Sequence, residues 1–172
     1  HELSDTFDYI EKSDPVENNF YRLDSNTWQN INNAGSFNYN GMIYFNSVRN
    51  GKMMYFLENY GGYTVQDQCS VRFNAKNPAL TSMLGFKYIV SSNEENYYKK
   101  ILDQKYDLYL NEDSLSIGFM MNNKIKDLKL RKDKSYYNTE EIISLSLGSK
   151  NNLITPFTYT SIEKYWEEEG ED

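Results

Sequence analysis

Apolar residues in this chain come in short clusters separated by Asn-, Ser- and Lys-rich intervals, and the spacing inside each cluster predicts its conformation. Residues 2–19 are acidic and polar with Pro15 near their end, which predicts a linker or a short helix rather than core structure. Phe20-Tyr21-Arg22-Leu23-Asp24 alternates apolar and polar as a half-buried strand does, and Ser25-Asn26 supplies a turn. Residues 28–40 are dense in Asn, with Gly35 and Ser36, and predict a long loop, because such residues bond their own backbone and tolerate left-handed conformations. Residues 41–45 predict a short buried strand. Met53, Met54, Phe56, Leu57 and Tyr60 then repeat at helical spacing, with Gly61-Gly62 as the stop.

Beyond that helix, residues 63–74 predict a strand or extended connection, with one alternating run from Cys69 to Phe73. Asn77-Pro78 opens a short helix through Ala79, Leu80, Met83 and Leu84 that Gly85 closes, since proline loses no hydrogen bond in a first turn. The almost unbroken apolar run of residues 86–91 predicts a central strand covered on both faces. One or two helical turns are expected at 96–102. A hairpin is expected from strands 106–110 and 117–122 about the turn Asn111-Glu112-Asp113-Ser114. Thr139 is placed to cap a helix over 140–147 that packs on the sheet and ends at Gly148, and residues 151–165 suit a late strand. Strands mixed with about three short helices, without regular βαβ repetition, predict a single α+β domain with a mixed central sheet over 20–166. A linker at 1–19 precedes it and an acidic tail at 167–172 follows.

Composition narrows the function. The chain has 172 residues, of which 39% are hydrophobic and 25% charged, an ordinary balance for one folded domain. Its formal charge of −7 excludes a nucleic-acid partner, because neutralising phosphates takes clustered Lys and Arg. A basic cluster does occur at Lys124, Lys126, Lys129, Arg131, Lys132 and Lys134, interrupted by Asp127 and Asp133, as in many solvated loops. Cys69 is the single cysteine, so neither an intrachain disulfide nor a thiolate metal cage can form. No apolar run reaches the ~18 residues of a membrane span. The start at His1 and the acidic end suit a soluble piece of a longer protein whose membrane segments lie outside it.

Candidate chemistry is sparse. The only histidine is His1, which leaves no basis for a histidine triad or histidine-containing zinc site, and no glycine-rich phosphate loop follows a strand. No catalytic, cofactor-binding or metal-binding residue is therefore assigned, and no cofactor is expected. Adjacent carboxylates such as Glu112 and Asp113 suit turns and helix starts better than a catalytic pair across a cleft. Aromatic rings beside amides and carboxylates are more distinctive. A sugar offers apolar C–H faces and hydroxyl edges, so Trp28, Tyr39 and Tyr44 are the candidate glycan-binding residues, although most such rings serve the core.

Four strings carry a family resemblance: Tyr21-Arg22-Leu23-Asp24, Asn40-Gly41-Met42-Ile43-Tyr44-Phe45-Asn46-Ser47, Met83-Leu84-Gly85-Phe86-Lys87-Tyr88-Ile89-Val90 and Leu115-Ser116-Ile117-Gly118-Phe119-Met120. In this order, over residues 20–121, the chain resembles the YfhO family of bacterial multi-pass membrane proteins. It departs from the family pattern where Asn46 precedes Ser47 and where Ser116 stands at a position often proline. The resemblance implies a soluble domain on the extracytoplasmic face of the cell membrane, joined to the flanking transmembrane region of its parent. Such parents resemble glycosyltransferases that use polyprenyl-phosphate sugars to decorate cell-wall polymers such as lipoteichoic acid. Their essential acidic residue lies between membrane helices, so this piece alone is expected to be inactive, with a structural role or an acceptor-binding role toward a cell-wall glycopolymer. Two other classes stand beside this: a free-standing carbohydrate-binding or interaction module, and a small hydrolase using Glu112 or Asp113.

Overall fold

A computed structural model describes residues 2–15, 20–27, 32–45, 51–60, 63–66, 70–73, 77–131 and 135–148. It is a single α+β domain built on two sheets. The larger has the order β1-β5-β7-β6, with β1 at Arg22–Ser25, β5 at Phe86–Ser91, β6 at Lys99–Leu102 and β7 at Asp107–Leu110. β1 runs parallel to β5, whereas β5, β7 and β6 are antiparallel, so the sheet is mixed. A smaller antiparallel sheet has the order β2-β4-β3, from Tyr44–Phe45, Tyr63–Gln66 (β3) and Ser70–Phe73 (β4). Among the described residues the helices are α1 (Glu2–Ser13), α2 (Asn33–Phe37), α3 (Gly51–Tyr60), α4 (Pro78–Met83) and α5 (Ser135–Leu147).

The expected central strand is β5, and the reason for its continuous apolar composition is burial on both faces. Tyr88 and Val90 join Leu23, Leu108, Tyr21 and Tyr106 beneath α1, while Phe86 and Ile89 join Tyr109, Tyr98, Val71, Met54 and Leu57 beneath α3. A third cluster lies among helices: Leu80 of α4 and Ile142 of α5 pack with Phe56, Met83, Leu84, Ile125, Leu128 and Leu130. α5 thus packs on α3, α4 and the 3-10 turn Asn123–Asp127 rather than on the sheet as expected.

Several local readings are corrected. The segment read as a linker or a short helix outside the core is the helix α1, but it is core structure: Leu3, Phe7 and Ile10 on one side of it are buried, with Thr6 donating from Oγ1 to the Tyr106 carbonyl at 3.4 Å. The loop at 28–40 contains the short helix α2, which ends at Asn38 in the left-handed conformation at φ 53°. Residues expected to turn helically at 96–102 include strand β6. β7 pairs with β6 on one side and β5 on the other, so no edge remains for residues 117–122 and the expected hairpin does not form. α5 begins at Ser135, before Thr139, whose hydroxyl instead accepts from Asn77 Nδ2 at 2.9 Å. Pro78 does stand in the first turn of α4 as expected, Asn77 caps that helix by accepting from the Leu80 N–H at 3.1 Å, and Gly85 and Gly148 both have positive φ. The late strand at 151–165 and the acidic tail lie outside the described residues.

Candidate functional site

Three of the four strings of the resemblance, the first, third and fourth, meet at one end of β5. The Arg22 N–H donates to the Gly85 carbonyl at 2.8 Å and the Arg22 guanidinium to the Leu84 carbonyl, which ties the first string to the third. The Leu115 N–H donates to the Ser82 carbonyl at 3.0 Å, and a Cβ added at Gly85 would lie 3.1 Å from Ile117 Cγ1 and 3.2 Å from the Leu115 carbonyl oxygen. The third and fourth strings therefore touch across a glycine. Asn111 sits behind this contact: its Nδ2 donates to the Phe86 carbonyl at 3.0 Å and its backbone N–H to that of Lys87 at 2.9 Å.

The first string also holds the second. Leu23 N–H donates to the Asn40 carbonyl at 3.0 Å, and Asp24 accepts from the Met42 N–H at 3.1 Å and the Ser25 N–H at 3.3 Å. Asp24 is fully buried, and desolvation pushes its carboxyl up to about 7, against the backbone N–H groups of Met42, Ser25 and Ile43 and the Arg22 charge. Its carboxyl therefore clamps the chain at 40–43 onto β1.

Residues 36–40, just ahead of that clamp, form one wall of a groove whose other wall is α1. The cavity measures about 580 Å³, within the range of small-ligand sites. Phe7, Ile10, Leu23, Phe37 and Tyr39 supply its apolar surface; Asp8, Glu11, Ser36, Asn38 and Asn40 supply its polar groups. Phe7 stacks on Phe37 at 4.5 Å and on Tyr39 at 5.0 Å between ring centroids. Burial, with the Asp24 charge adding to it, raises the Tyr39 hydroxyl well above its ordinary value and keeps it neutral. Gly41 is required at the turn out of the groove, because a Cβ there would lie 2.7 Å from Tyr39 Cε2.

The far end of α1 is fixed by a polar cluster. Asp14 accepts from Lys87 Nζ at 2.6 Å and from the Tyr88 hydroxyl at 2.9 Å, while the Tyr21 hydroxyl donates to the Asp14 carbonyl at 2.6 Å. Lys87 Nζ also lies 5.2 Å from the Tyr21 ring centroid. The lysine-tyrosine pair of the third string is thus the dock for α1.

Of the three aromatic candidates, Tyr39 lines the groove. Tyr44 stands on β2 of the smaller sheet, paired with Val71, and Trp28 lies outside the described residues. Phe7, Asp8, Glu11, Asn38 and Asn40 were not anticipated from sequence. Leu3, Thr6, Phe7 and Ile10 do carry the helical spacing that would have revealed the α1 wall. Glu112 is taken up by an exposed ion pair with Lys99 at 3.0 Å, and neither it nor Asp113 lines the groove. Among the described residues no group of three or more His, Cys, Asp or Glu side chains is placed to share a metal ion, and no helix is long and apolar enough to cross a membrane.

The molecule is an α+β domain in which a hydrogen-bonded junction at the end of a central strand braces an aromatic groove. The chain belongs to the YfhO family: the family model described as bacterial membrane protein YfhO matches residues 3–170, well beyond the 20–121 covered by the four strings. No curated protein and no solved structure matches it.

Proposed function

We propose that this chain is the extracytoplasmic domain of a YfhO-like membrane glycosyltransferase, where it binds the sugar part of an acceptor polymer such as lipoteichoic acid. The observation that carries the binding role is the groove between α1 and residues 36–40. It joins an aromatic wall of Phe7, Phe37 and Tyr39 to amide and carboxylate edges, the combination that sugar rings and hydroxyls require. The carboxylates of Asp8 and Glu11 repel phosphate, so the contact is with sugar hydroxyls rather than with a phosphodiester backbone. Chemistry belongs to the membrane-embedded remainder of the parent, and this domain presents the acceptor to it.

Titrating the isotopically labelled chain with cell-wall glycopolymer, followed by nuclear magnetic resonance, tests the binding role. Amide and ring shifts should move at Phe37, Asn38 and Tyr39 and remain still at Glu112 and Asp113. If those groove signals stay fixed at saturating polymer, the acceptor-binding role fails and a structural role is left. Apolar segments flanking the chain in its native reading frame are expected, and their absence would favour a free-standing carbohydrate-binding module.

A further inference from the structure

We infer that residues 115–131, with the end of α5, form a surface that seats the domain on an anionic membrane. Two kinds of group meet there. Met120 is wholly exposed, and Leu115, Met121 and Leu147 are exposed as well. The chain holds these apolar residues in place. The Asn122 N–H donates to the Ser146 carbonyl at 2.8 Å, Lys124 Nζ to the Gly148 carbonyl at 3.3 Å, and the Asn122 side chain packs directly on Gly148. Met120 and Met121 on one segment and Leu147 on the other are thereby brought to the same end of the domain.

The basic residues follow immediately. Ile125, Leu128 and Leu130 turn inward onto Leu80 and Ile142, and that register leaves Lys124, Lys126, Lys129 and Arg131 exposed. None of these four side chains makes an ion pair among the described residues, where Lys87, Lys99 and Lys100 do. Charge distribution sharpens the point. Residues 122–134 hold six of the chain's 18 Lys and Arg and two of its 25 Asp and Glu, in a protein of net charge −7. On a body of net negative charge, a basic, apolar-tipped segment is drawn toward a negatively charged surface. Exposed methionine and leucine beside lysines fit the boundary between headgroups and acyl chains, with lysine heads at phosphate level. The chain's membership of a membrane-protein family puts such a surface within reach.

Co-sedimentation of the chain with lipid vesicles tests this. It should pellet with phosphatidylglycerol vesicles at low salt, not with phosphatidylcholine vesicles, and binding should weaken as salt rises. Replacing Lys126, Lys129 and Arg131 by Gln should lower partitioning roughly fivefold per charge, about a hundredfold together. Met120→Asp with Leu147→Asp should lower it at least about tenfold by removing the inserted apolar groups. All these side chains are exposed, and an unchanged far-ultraviolet circular dichroism spectrum verifies folding. Failure to pellet with phosphatidylglycerol, or equal pelleting with both lipids, overturns the proposal. So does binding that long-chain inorganic polyphosphate removes and that the Met120 and Leu147 substitutions leave intact, since that assigns the surface to a soluble polyanion.

Discussion

Gly85 is the hinge of the junction between the third and fourth strings, and Gly85→Ala measures how tightly that junction is built. Two costs add. The residue has φ +75°, a left-handed conformation that costs an L-residue roughly 1–2 kcal/mol relative to glycine. The new methyl would also lie 3.1 Å from Ile117 Cγ1 and 3.2 Å from the Leu115 carbonyl oxygen. The second neighbour is backbone, fixed by the Leu115-to-Ser82 hydrogen bond, so relief requires moving the whole 114–117 segment. Overpacking of this kind costs about 1–3 kcal/mol. The expected loss is therefore about 3 kcal/mol, a large part of the ~5–15 kcal/mol that holds a typical domain together. Urea unfolding followed by circular dichroism reads it as a midpoint lowered by about 1.5 M, for a slope near ~2 kcal/mol/M. Gly118 is the control, because it belongs to the same family string yet has nothing within 4 Å of an added Cβ and no positive φ. Gly118→Ala should stay within about 0.5 kcal/mol of the parent. Equal midpoints for the two alanine variants would refute the reasoning.

Asp24 gives a pH prediction. Its folded value of about 7 lies above the ~3.9 of an unfolded aspartate, so its contribution is fully present below about pH 4 and is lost as pH rises through about 7. Asp24→Asn should therefore gain on the parent by up to ~1.4 kcal/mol per pH unit between about pH 5 and 7, and a constant difference in urea midpoints across that window contradicts the assignment. Asp14→Ala removes the acceptor shared by Lys87 and Tyr88 and should cost about 2 kcal/mol; a change under ~0.5 kcal/mol in the same assay would show that α1 is held by its apolar face alone. Gly41→Ala drives a methyl against Tyr39 Cε2 and should displace the ring from Phe7, visible as altered Tyr39 ring shifts with a loss of about 1–2 kcal/mol; unaltered shifts would show that the wall yields elsewhere.

What was legible in the sequence was whatever local chemistry decides. The two-sided burial of β5 produces its unbroken apolar run, Asn77-Pro78 has few uses other than opening a helix, and Gly148 answers the left-handed end of α5. What was not legible depended on partners distant in sequence. β6 is an edge strand, exposed at Lys99 and Lys100, so it lacks the alternation that marks a half-buried strand, and its spacing of Tyr98 and Ile101 imitates a helix. Ile117 to Met121 is apolar without being a strand because both edges of β7 are already taken. α1 misled because its polar residues outnumber its buried ones, and only the spacing of Leu3, Phe7 and Ile10 betrays a packed face. The groove followed α1 out of view, leaving Tyr39 visible without its opposite wall.

The two proposed surfaces rest on separate supports, and that independence can itself be tested. The groove stands on the cluster beneath α1 and on the Asp24 clamp, whereas the basic end stands on the Leu80 and Ile142 cluster between α4 and α5. Sites that share no partner contribute to free energy additively within about 0.3–0.5 kcal/mol. Met120→Asp should then leave glycopolymer titration of Phe37 and Tyr39 unchanged, and Gly41→Ala should leave vesicle partitioning unchanged. Linkage requires any coupling to be reciprocal, so each ligand must alter the other's affinity by one common factor. The β1-β5 junction is the route by which such coupling would pass, since Arg22 grips Leu84 and Gly85 at the edge of α4 while Asp24, two residues on, grips Met42 just beyond the groove wall. A factor of more than about threefold, which exceeds that additivity limit, would make the junction a transmitter between membrane and acceptor rather than a brace, and Gly85→Ala should then abolish it.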